Sequence, residues 1–342
     1  MTIGRRMVLK ASTAVGAPWL VRARAQTRAR RIGSLYPHPS FPVEPSLRFS
    51  TQAASEAAWR PLGWIEGETL LIERRYAAWR MQRMPELADE LLRKHGVELL
   101  MALGPEAAAA AARATRTVPI VFIEVILPIE CGLIDSYARP GQNCTGLTWS
   151  AGCEAYTKQI EFARTIAPSA RRIAFLSMDT RQWTRSGQPL DVLWCDVADA
   201  AKAQGFDHTV HTARSLEDVD TALAEAAAAG AQASSIRGGS YQGAATRVAD
   251  FALRQRWVTT CSARSMFDVG LLLCYSPSNA AYAYMIDRLR EMASRILRGA
   301  NPAEMPVEQA TGYELALNLK TARTLGLTLP KSLLLRADRV VE

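Results

Sequence analysis

The sequence predicts an α/β protein made of two doubly wound, Rossmann-like lobes with a ligand cleft between them. The chain has 342 residues, of which 49% are hydrophobic and 22% charged, as is typical of a globular protein long enough for two domains. From Arg30 onward, short apolar segments alternate with alanine- and leucine-rich helical segments. The alternation starts again after Gly141, which favours a second lobe over one long sheet.

Lobe 1 begins with four predicted strands that are separated by three helices. The fourth strand, Val118–Ile126, is a continuous apolar segment, which is typical of a parallel strand buried on both faces. Right-handed crossovers between such strands give a doubly wound sheet. The predicted strands are Arg31–Tyr36, Leu70–Tyr76, Leu99–Leu103 and Val118–Ile126, and the helices are Leu47–Leu62, Pro85–Lys94 and Pro105–Ala114.

Lobe 2 repeats the same pattern. Lobe 1 is predicted to consist of residues 30–146 and about 277–305. Lobe 2 is predicted to consist of residues 147–276 and about 306–342. Ligands bind outside the carboxyl ends of parallel strands, so the predicted site lies where the two sheets face each other. The helices of lobe 2 are Tyr156–Ile166, Val192–Gln204, Leu216–Ala229 and Ala244–Arg254, and its strands are Arg172–Ser177, Phe206–His211, Ala233–Arg237, Trp257–Cys261 and Leu271–Tyr275. The helix Ala281–Leu297 falls in the segment assigned to lobe 1.

The first 25 residues have the features of a cleavable signal peptide. Arg5-Arg6 precedes an apolar segment, and Ala23-Arg24-Ala25 fits a small-x-small cleavage site. The apolar segment is too short to span a membrane. We therefore predict export to the periplasm with cleavage near Ala25. The paired arginines favour twin-arginine export, and the general secretory route stays open.

Cleavage also changes the meaning of the charge. It removes five basic residues and no acidic residue, so the formal net charge falls from +8 to +3. A mature chain so close to neutrality gives little reason to expect nucleic acid as a partner.

The six cysteines give two open alternatives. An exported protein meets an oxidising compartment, so a disulfide such as Cys144–Cys153 is permitted, and six buried thiols are the other alternative. The spacings contain no Cys-x-x-Cys pair and the chain has only four histidines, so we predict no metal site and no cofactor.

Four segments resemble the ABC-transporter substrate-binding protein family that includes TrpX-type tryptophan-binding proteins. The resemblance runs from about Arg30 to the C-terminus. It implies a type I periplasmic binding protein fold, a small-molecule solute, and a membrane permease and ATPase as partners. The segments are Pro61-Leu62-Gly63-Trp64-Ile65-Glu66-Gly67-Glu68, Val118-Pro119-Ile120-Val121-Phe122, Ala138-Arg139-Pro140-Gly141-Gln142-Asn143-Cys144-Thr145-Gly146-Leu147 and Asn318-Leu319-Lys320-Thr321-Ala322-Arg323-Thr324-Leu325-Gly326-Leu327.

In lobe 1, the predicted site includes Gly104, Pro105 and Glu106 at a helix start. Free amide groups and the positive end of the helix dipole suit a carboxylate there. Relatives usually have a small hydroxyl residue where this chain has Pro105, and an Asp-Pro pair where it has Leu127-Pro128. The loss of that acid favours a solute without an amine, and Glu124 is the remaining acidic candidate nearby.

Further candidates come from both lobes. Arg237 fits a bidentate contact to a carboxylate, and Gly239 lets the backbone approach a ligand closely. Tyr275 matches the tyrosine of a Tyr-Gly-Pro turn in the family, and Tyr36 and Trp183 are placed to stack on a planar ligand.

These observations predict a monomeric solute receptor that binds a small organic carboxylate, aromatic ones included, or an amino-acid-like solute. A periplasmic ligand sensor that feeds a membrane signalling receptor is the alternative. We expect no catalytic residues, because no acid–base pair is evident for the cleft; His208 and His211, for example, fall on opposite faces of their predicted strand.

Overall fold

The computed structural model describes most of the chain. At residues 178, 182–183, 189–190, 192–196, 242 and 310 it describes the backbone alone. The described ranges are 28–39, 58–149, 154–178, 182–186, 189–190, 192–213, 215–237 and 241–342.

Two large sheets contain most of the strands in these ranges. The strands are β1 (Arg30–Tyr36), β2 (Leu70–Tyr76), β3 (Leu99–Leu103), β4 (Ile120–Ile123), β5 (Cys144–Trp149), β6 (Arg172–Met178), β7 (Gln182–Trp183), β8 (Pro189–Leu190), β9 (Asp207–Ala213), β10 (Ala233–Ile236), β11 (Val258–Cys261), β12 (Leu273–Pro277), β13 (Glu308–Ala310), β14 (Tyr313–Asn318) and β15 (Arg339–Val341).

The first sheet has six strands and the second has seven. In the first, the order is β13-β5-β4-β3-β1-β2 and all neighbours run parallel. In the second, the order is β15-β14-β12-β11-β10-β6-β9, and β12 and β14 are antiparallel. The two-residue strands β7 and β8 form a separate antiparallel hairpin.

Ten α-helices have both ends within the described ranges. Their apolar faces cover both sides of each sheet, as a buried parallel sheet requires. The first sheet is covered on one face by α1 and α2 and on the other by α8. The second sheet is covered on one face by α5, α6 and α7 and on the other by α3, α4, α9 and α10. The helices are α1 (Met84–Arg93), α2 (Gly104–Ala114), α3 (Glu154–Ile166), α4 (Val192–Ala203), α5 (Val219–Ala228), α6 (Ala245–Arg254), α7 (Arg264–Asp268), α8 (Asn279–Leu297), α9 (Leu319–Leu325) and α10 (Lys331–Leu334).

The main chain passes between the two sheets three times. It crosses first between β5 and α3, then from β12 to α8, and finally from β13 to β14. At the second crossing, the Ser278 hydroxyl accepts a hydrogen bond from the Ala281 amide at 3.0 Å and caps α8. The third crossing takes only the two residues between Ala310 and Tyr313.

One predicted strand is too long, and β7, β8, α7 and the elements of the C-terminal segment were not predicted. The strand predicted at Val118–Ile126 covers only Ile120–Ile123, because the backbone turns left-handed at Glu124 and Leu127, with φ of 64° and 57°. The C-terminal 45 residues contain β13, β14, β15, α9 and α10, which were not predicted. The helix predicted at Leu47–Leu62 lies mostly outside the described residues.

The cysteines of the described part are thiols. Cys131, Cys144, Cys261 and Cys274 are free and buried, so the buried-thiol alternative holds for these four. The side chains of Cys153 and Cys195 lie outside the described residues, as does the predicted signal peptide. Among the described residues, no helix is both long and apolar enough to cross a membrane.

Candidate functional site

The carboxyl ends of the two sheets face each other. Glu106 follows β3 of the first sheet, and its carboxyl group lies within electrostatic range of Arg237, which follows β10 of the second. Arg80, after β2, likewise acts on Glu217, which follows β9. The ends of four strands therefore meet across one cleft, as predicted for a doubly wound pair of lobes.

The first turn of α2 contains an acidic side chain, Glu106. Gly104 has a φ of 82°, and Pro105 occupies the first turn without a side-chain cap before it. Glu106 is only 8% exposed, and its Oε1 has no hydrogen-bond partner. Burial raises the pKa of the Glu106 carboxyl, while Arg237 and the Glu106 backbone amide oppose the rise. The predicted anion position at this helix start is thus taken by Glu106 itself.

Glu124 forms a second acidic position in lobe 1. It directly follows β4 in a left-handed conformation, which is rare for a residue with a side chain. Its amide donates to Leu147 O at 3.1 Å, which fixes this backbone beside β5. Burial raises the pKa of the Glu124 carboxyl to about 7, although a hydrogen bond with Tyr282 of α8 lowers it.

A row of aromatic rings joins the three crossings. Trp149 at the end of β5 stacks on Tyr282 of α8, with centroids 6.0 Å apart, and meets Tyr313 of β14 edge-on at 6.3 Å. Tyr313 stacks in turn on Tyr275 of β12 at 5.2 Å. All four side chains are half-buried. Of these residues, only Tyr275 was predicted for the site.

Tyr36 belongs to a second aromatic group at the ends of β1 and β2. Its ring stacks on Tyr76 at 5.0 Å, and the His38 ring lies 5.2 Å away and tilted. Burial lowers the pKa of His38, which favours its neutral form. Sequence reasoning missed His38 and Tyr76, although their positions just after or at the end of predicted strands could have pointed to them.

A cavity opens between the first sheet and α8, beside Tyr36. The empty space there is about 450 Å³ when the open solvent at its mouth is counted, and the part that a water-sized group can enter is much smaller. Most of the described wall is apolar, and the charged groups among its described lining residues are Arg74 of β2 and Arg290 of α8. The apolar wall includes Trp59, Ile72, Met101, Leu103, Ile286 and Leu289.

Two predicted site residues are not placed by their side chains. Trp183 lies in β7, where only the backbone is described, and β7 packs against α2 of lobe 1. Gly239 lies outside the described residues. The structure thus places Glu106 within electrostatic range of Arg237 across the cleft, and puts Glu124 and Tyr275 at opposite ends of the aromatic row.

Sequence reasoning also missed an arm that reaches from lobe 2 to lobe 1. We define the arm as the described residues 182–186 and 189–190. Arg185 is 7% exposed; its amide donates to Cys131 O at 2.8 Å, and its guanidinium donates to Asn143 Oδ1 at 2.5 Å and to Gln142 Oε1. Charge-assisted hydrogen bonds of this kind make the arm a contact between the lobes.

A family model described as ABC transporter substrate binding protein matches residues 62–341. Two crystal structures, each 20% identical in sequence, cover 92% of this chain and are themselves covered completely. One is a conserved domain protein from Vibrio cholerae, with a TM-score of 0.78. The other is an ABC domain in complex with L-Trp from Streptococcus pneumonia, with a TM-score of 0.77. They show the fold, and the predicted type I periplasmic binding fold is confirmed.

A curated relative gives a shorter match. The tyrosine-binding protein of Clostridioides difficile is 27% identical over 114 residues, which are 33% of this chain. The match covers 32% of that relative, so this chain aligns with about a third of the relative's length.

Proposed function

Because this chain belongs to the ABC transporter substrate binding protein family, we propose that it captures one small organic solute between its lobes and presents it to a membrane permease and its ATPase. The observation that supports this most is the meeting of Glu106 and Arg237 from opposite lobes. A solute held there contacts both lobes at once and therefore favours their closed arrangement. The family consists of solute-binding proteins rather than enzymes.

The solute we propose is a small carboxylate, aromatic or amino-acid-like. The half-buried row from Trp149 to Tyr275 offers ring faces for stacking, which supports an aromatic solute. The similar structure from Streptococcus pneumonia is a complex with L-Trp, and the Clostridioides difficile relative is a tyrosine-binding protein, so both relatives also favour an aromatic solute.

The proposed contacts are the residues predicted from the sequence, with the hinge at the three crossings. Glu106 Oε1 and the Glu124 carboxyl supply acceptors for a solute N–H or O–H group, and Arg237 supplies a donor. The remaining proposed contacts are Tyr36, Gly104, Pro105, Trp183, Gly239 and Tyr275.

We further propose that the protein is exported through its first 25 residues and acts in the periplasm as a monomer. A receptor that meets its permease one molecule at a time needs no second copy to complete the cleft between its own lobes.

A thermal-shift screen of the mature protein tests the proposal. The screen comprises amino acids, aromatic acids, dicarboxylates and neutral sugars, each over a range of concentrations. A solute that binds only the folded state raises the melting temperature with concentration. We expect aromatic carboxylates or aromatic amino acids to give the largest shifts. Stabilisation by neutral sugars alone would contradict the solute class, and conversion of the bound solute to a product would contradict the receptor role.

A further inference from the structure

The cation predicted to bind a solute carboxylate already faces an acidic group. The charge of Arg237 acts on the buried Glu106 carboxyl group, and that same group occupies the start of α2. A second carboxylate placed there would be repelled by the first. A solute carboxylate is therefore better accommodated by a positive group elsewhere near the cleft.

The cavity between the first sheet and α8 has such groups. Arg290 lies on α8 and Arg74 on β2, and the charges of both act on the Tyr36 phenol. The two guanidinium groups therefore converge on one end of the cavity from opposite walls. Tyr36 ends β1 and its phenol interacts with the side chain of Ser34, so this end of the cavity lies within about two residues of the carboxyl edge of the sheet.

The ion pairs of the two arginines differ. Arg74 Nη1 lies 2.7 Å from Glu66 Oε1, and both side chains are well covered, at 15% and 7% exposure. Arg290 Nη1 lies 3.0 Å from Asp287 Oδ1, but the arginine side chain is 9% exposed and the aspartate 69%. Burial lowers the pKa of Arg290, since water and an exposed carboxylate compensate a buried cation poorly.

We propose that this cavity binds the carboxylate group of the transported solute, with Arg290 as the main contact and the Tyr36 hydroxyl as a second donor. The inference rests on the proposed function and identifies the part of the site that recognises the anion. A guanidinium offers two parallel N–H donors to a carboxylate, and the apolar walls accept the adjoining carbon atoms. Because the part of the cavity that a water-sized group can enter is small, the rest of the solute extends toward the cleft.

Matched pairs of probes separate the carboxylate from the rest of the solute. The pairs are 3-phenylpropanoate with 3-phenylpropanamide, and L-phenylalanine with L-phenylalaninamide, measured by calorimetry on the mature protein. In the wild type, we expect each carboxylate to bind at least 10-fold more tightly than its amide. Arg290→Gln is expected to abolish this preference by weakening the carboxylates at least 10-fold and the amides less than 2-fold.

Two further variants identify which arginine is responsible. Arg295 is exposed on the same helix, so Arg295→Gln is the matched control and should behave as the wild type. Loss of the carboxylate preference in Arg237→Gln but not in Arg290→Gln would overturn the proposal. So would equal binding of acid and amide by the wild type, and so would stabilisation by inorganic phosphate to the same extent as by the acids.

Folding and the receptor role are tested separately. If Arg290→Gln does not fold, Arg290→Lys keeps the charge and loses the planar fork, so carboxylate affinity should fall 3- to 10-fold with the amides unchanged. Unchanged carboxylate affinity in Arg290→Lys would refute the inference. If none of the four probes binds, the carboxylate inference is refuted, whereas the proposed function fails only if the full solute screen also finds no ligand.

Discussion

At the scale of single residues, the burial of Glu124 makes the stability of the protein depend on pH. The pKa of Glu124 is about 7 in the folded protein and near 4.5 in an unfolded chain, so the folded state holds the proton over that interval. Stability therefore falls as pH rises from about 4.5 through about 7. Burial also raises the pKa of the hydroxyl groups of Tyr282 and Tyr36.

At pH 8 we expect the free energy of unfolding of Glu124→Gln to exceed that of the wild type by roughly 1–3 kcal/mol, so that the variant melts at a higher temperature. At pH 5 we expect no such difference. Gln keeps an acceptor for Tyr282 without the charge. Thermal unfolding followed from pH 5 to 8.5 measures the effect. Glu130→Gln, at an exposed position in the following loop, should show no such difference. Parallel pH curves for wild type and Glu124→Gln would contradict the assignment.

Gly146 is the residue at which a side chain fits least well. A Cβ at this position would lie 2.0 Å from the carbonyl oxygen of Phe122 in the neighbouring strand. The φ of Gly146 is 158°. We expect Gly146→Ala to cost about 3 kcal/mol or more, because backbone on both strands has to move. Gly67→Ala is the control, with nothing within 4 Å of its Cβ and a φ of 88°, so only about 1 kcal/mol of strain is expected. Chemical denaturation measures both, and similar losses would contradict the packing.

At the scale of elements, the arm from lobe 2 gives a test of closure. Arg185 contacts Asn143 and Cys131 of lobe 1, so it stabilises only an arrangement in which the lobes touch. We expect Arg185→Ala to weaken solute affinity about 10-fold, equivalent to about 1.4 kcal/mol. The exposed Arg171, at the other end of β6, supplies the control variant Arg171→Ala. Equal affinity in Arg185→Ala and wild type would mean that the arm does not favour closure.

The same scale explains which helices could be located from the sequence. Apolar residues at helical spacing predicted α1 to α6 and α8 to within a few residues at either end. The elements after Leu297 were missed because they are only three to seven residues long, which is too short to show a clear period. Their strands are held by partners distant in sequence, as when β13 pairs with β5.

At the scale of the whole molecule, export is the property that the N-terminus predicts. Replacing Arg5-Arg6 by two lysines should block export by the twin-arginine route and leave the precursor inside the cell, because that route depends on the paired arginines. N-terminal sequencing of the exported wild type should begin at Gln26. Normal export of the lysine variant, with the same mature N-terminus, would indicate the general secretory route.

The sequence by itself determined the fold class, the two-lobe alternation and the family, because local periodicity and ordered motifs are written along the chain. It also pointed to Glu106, Glu124, Arg237 and Tyr275, since residues after parallel strands necessarily lie at the cleft. The tertiary structure decided which charges are already neutralised. Only the three-dimensional arrangement shows that the charge of Arg237 acts on Glu106 and that Arg290 is buried beside an exposed aspartate. It also shows that four aromatic side chains from the three crossings form one row. Glu106 and Arg237 lie 131 positions apart and Trp149 and Tyr282 lie 133 apart, and desolvation and pairing depend on distance in space rather than along the chain.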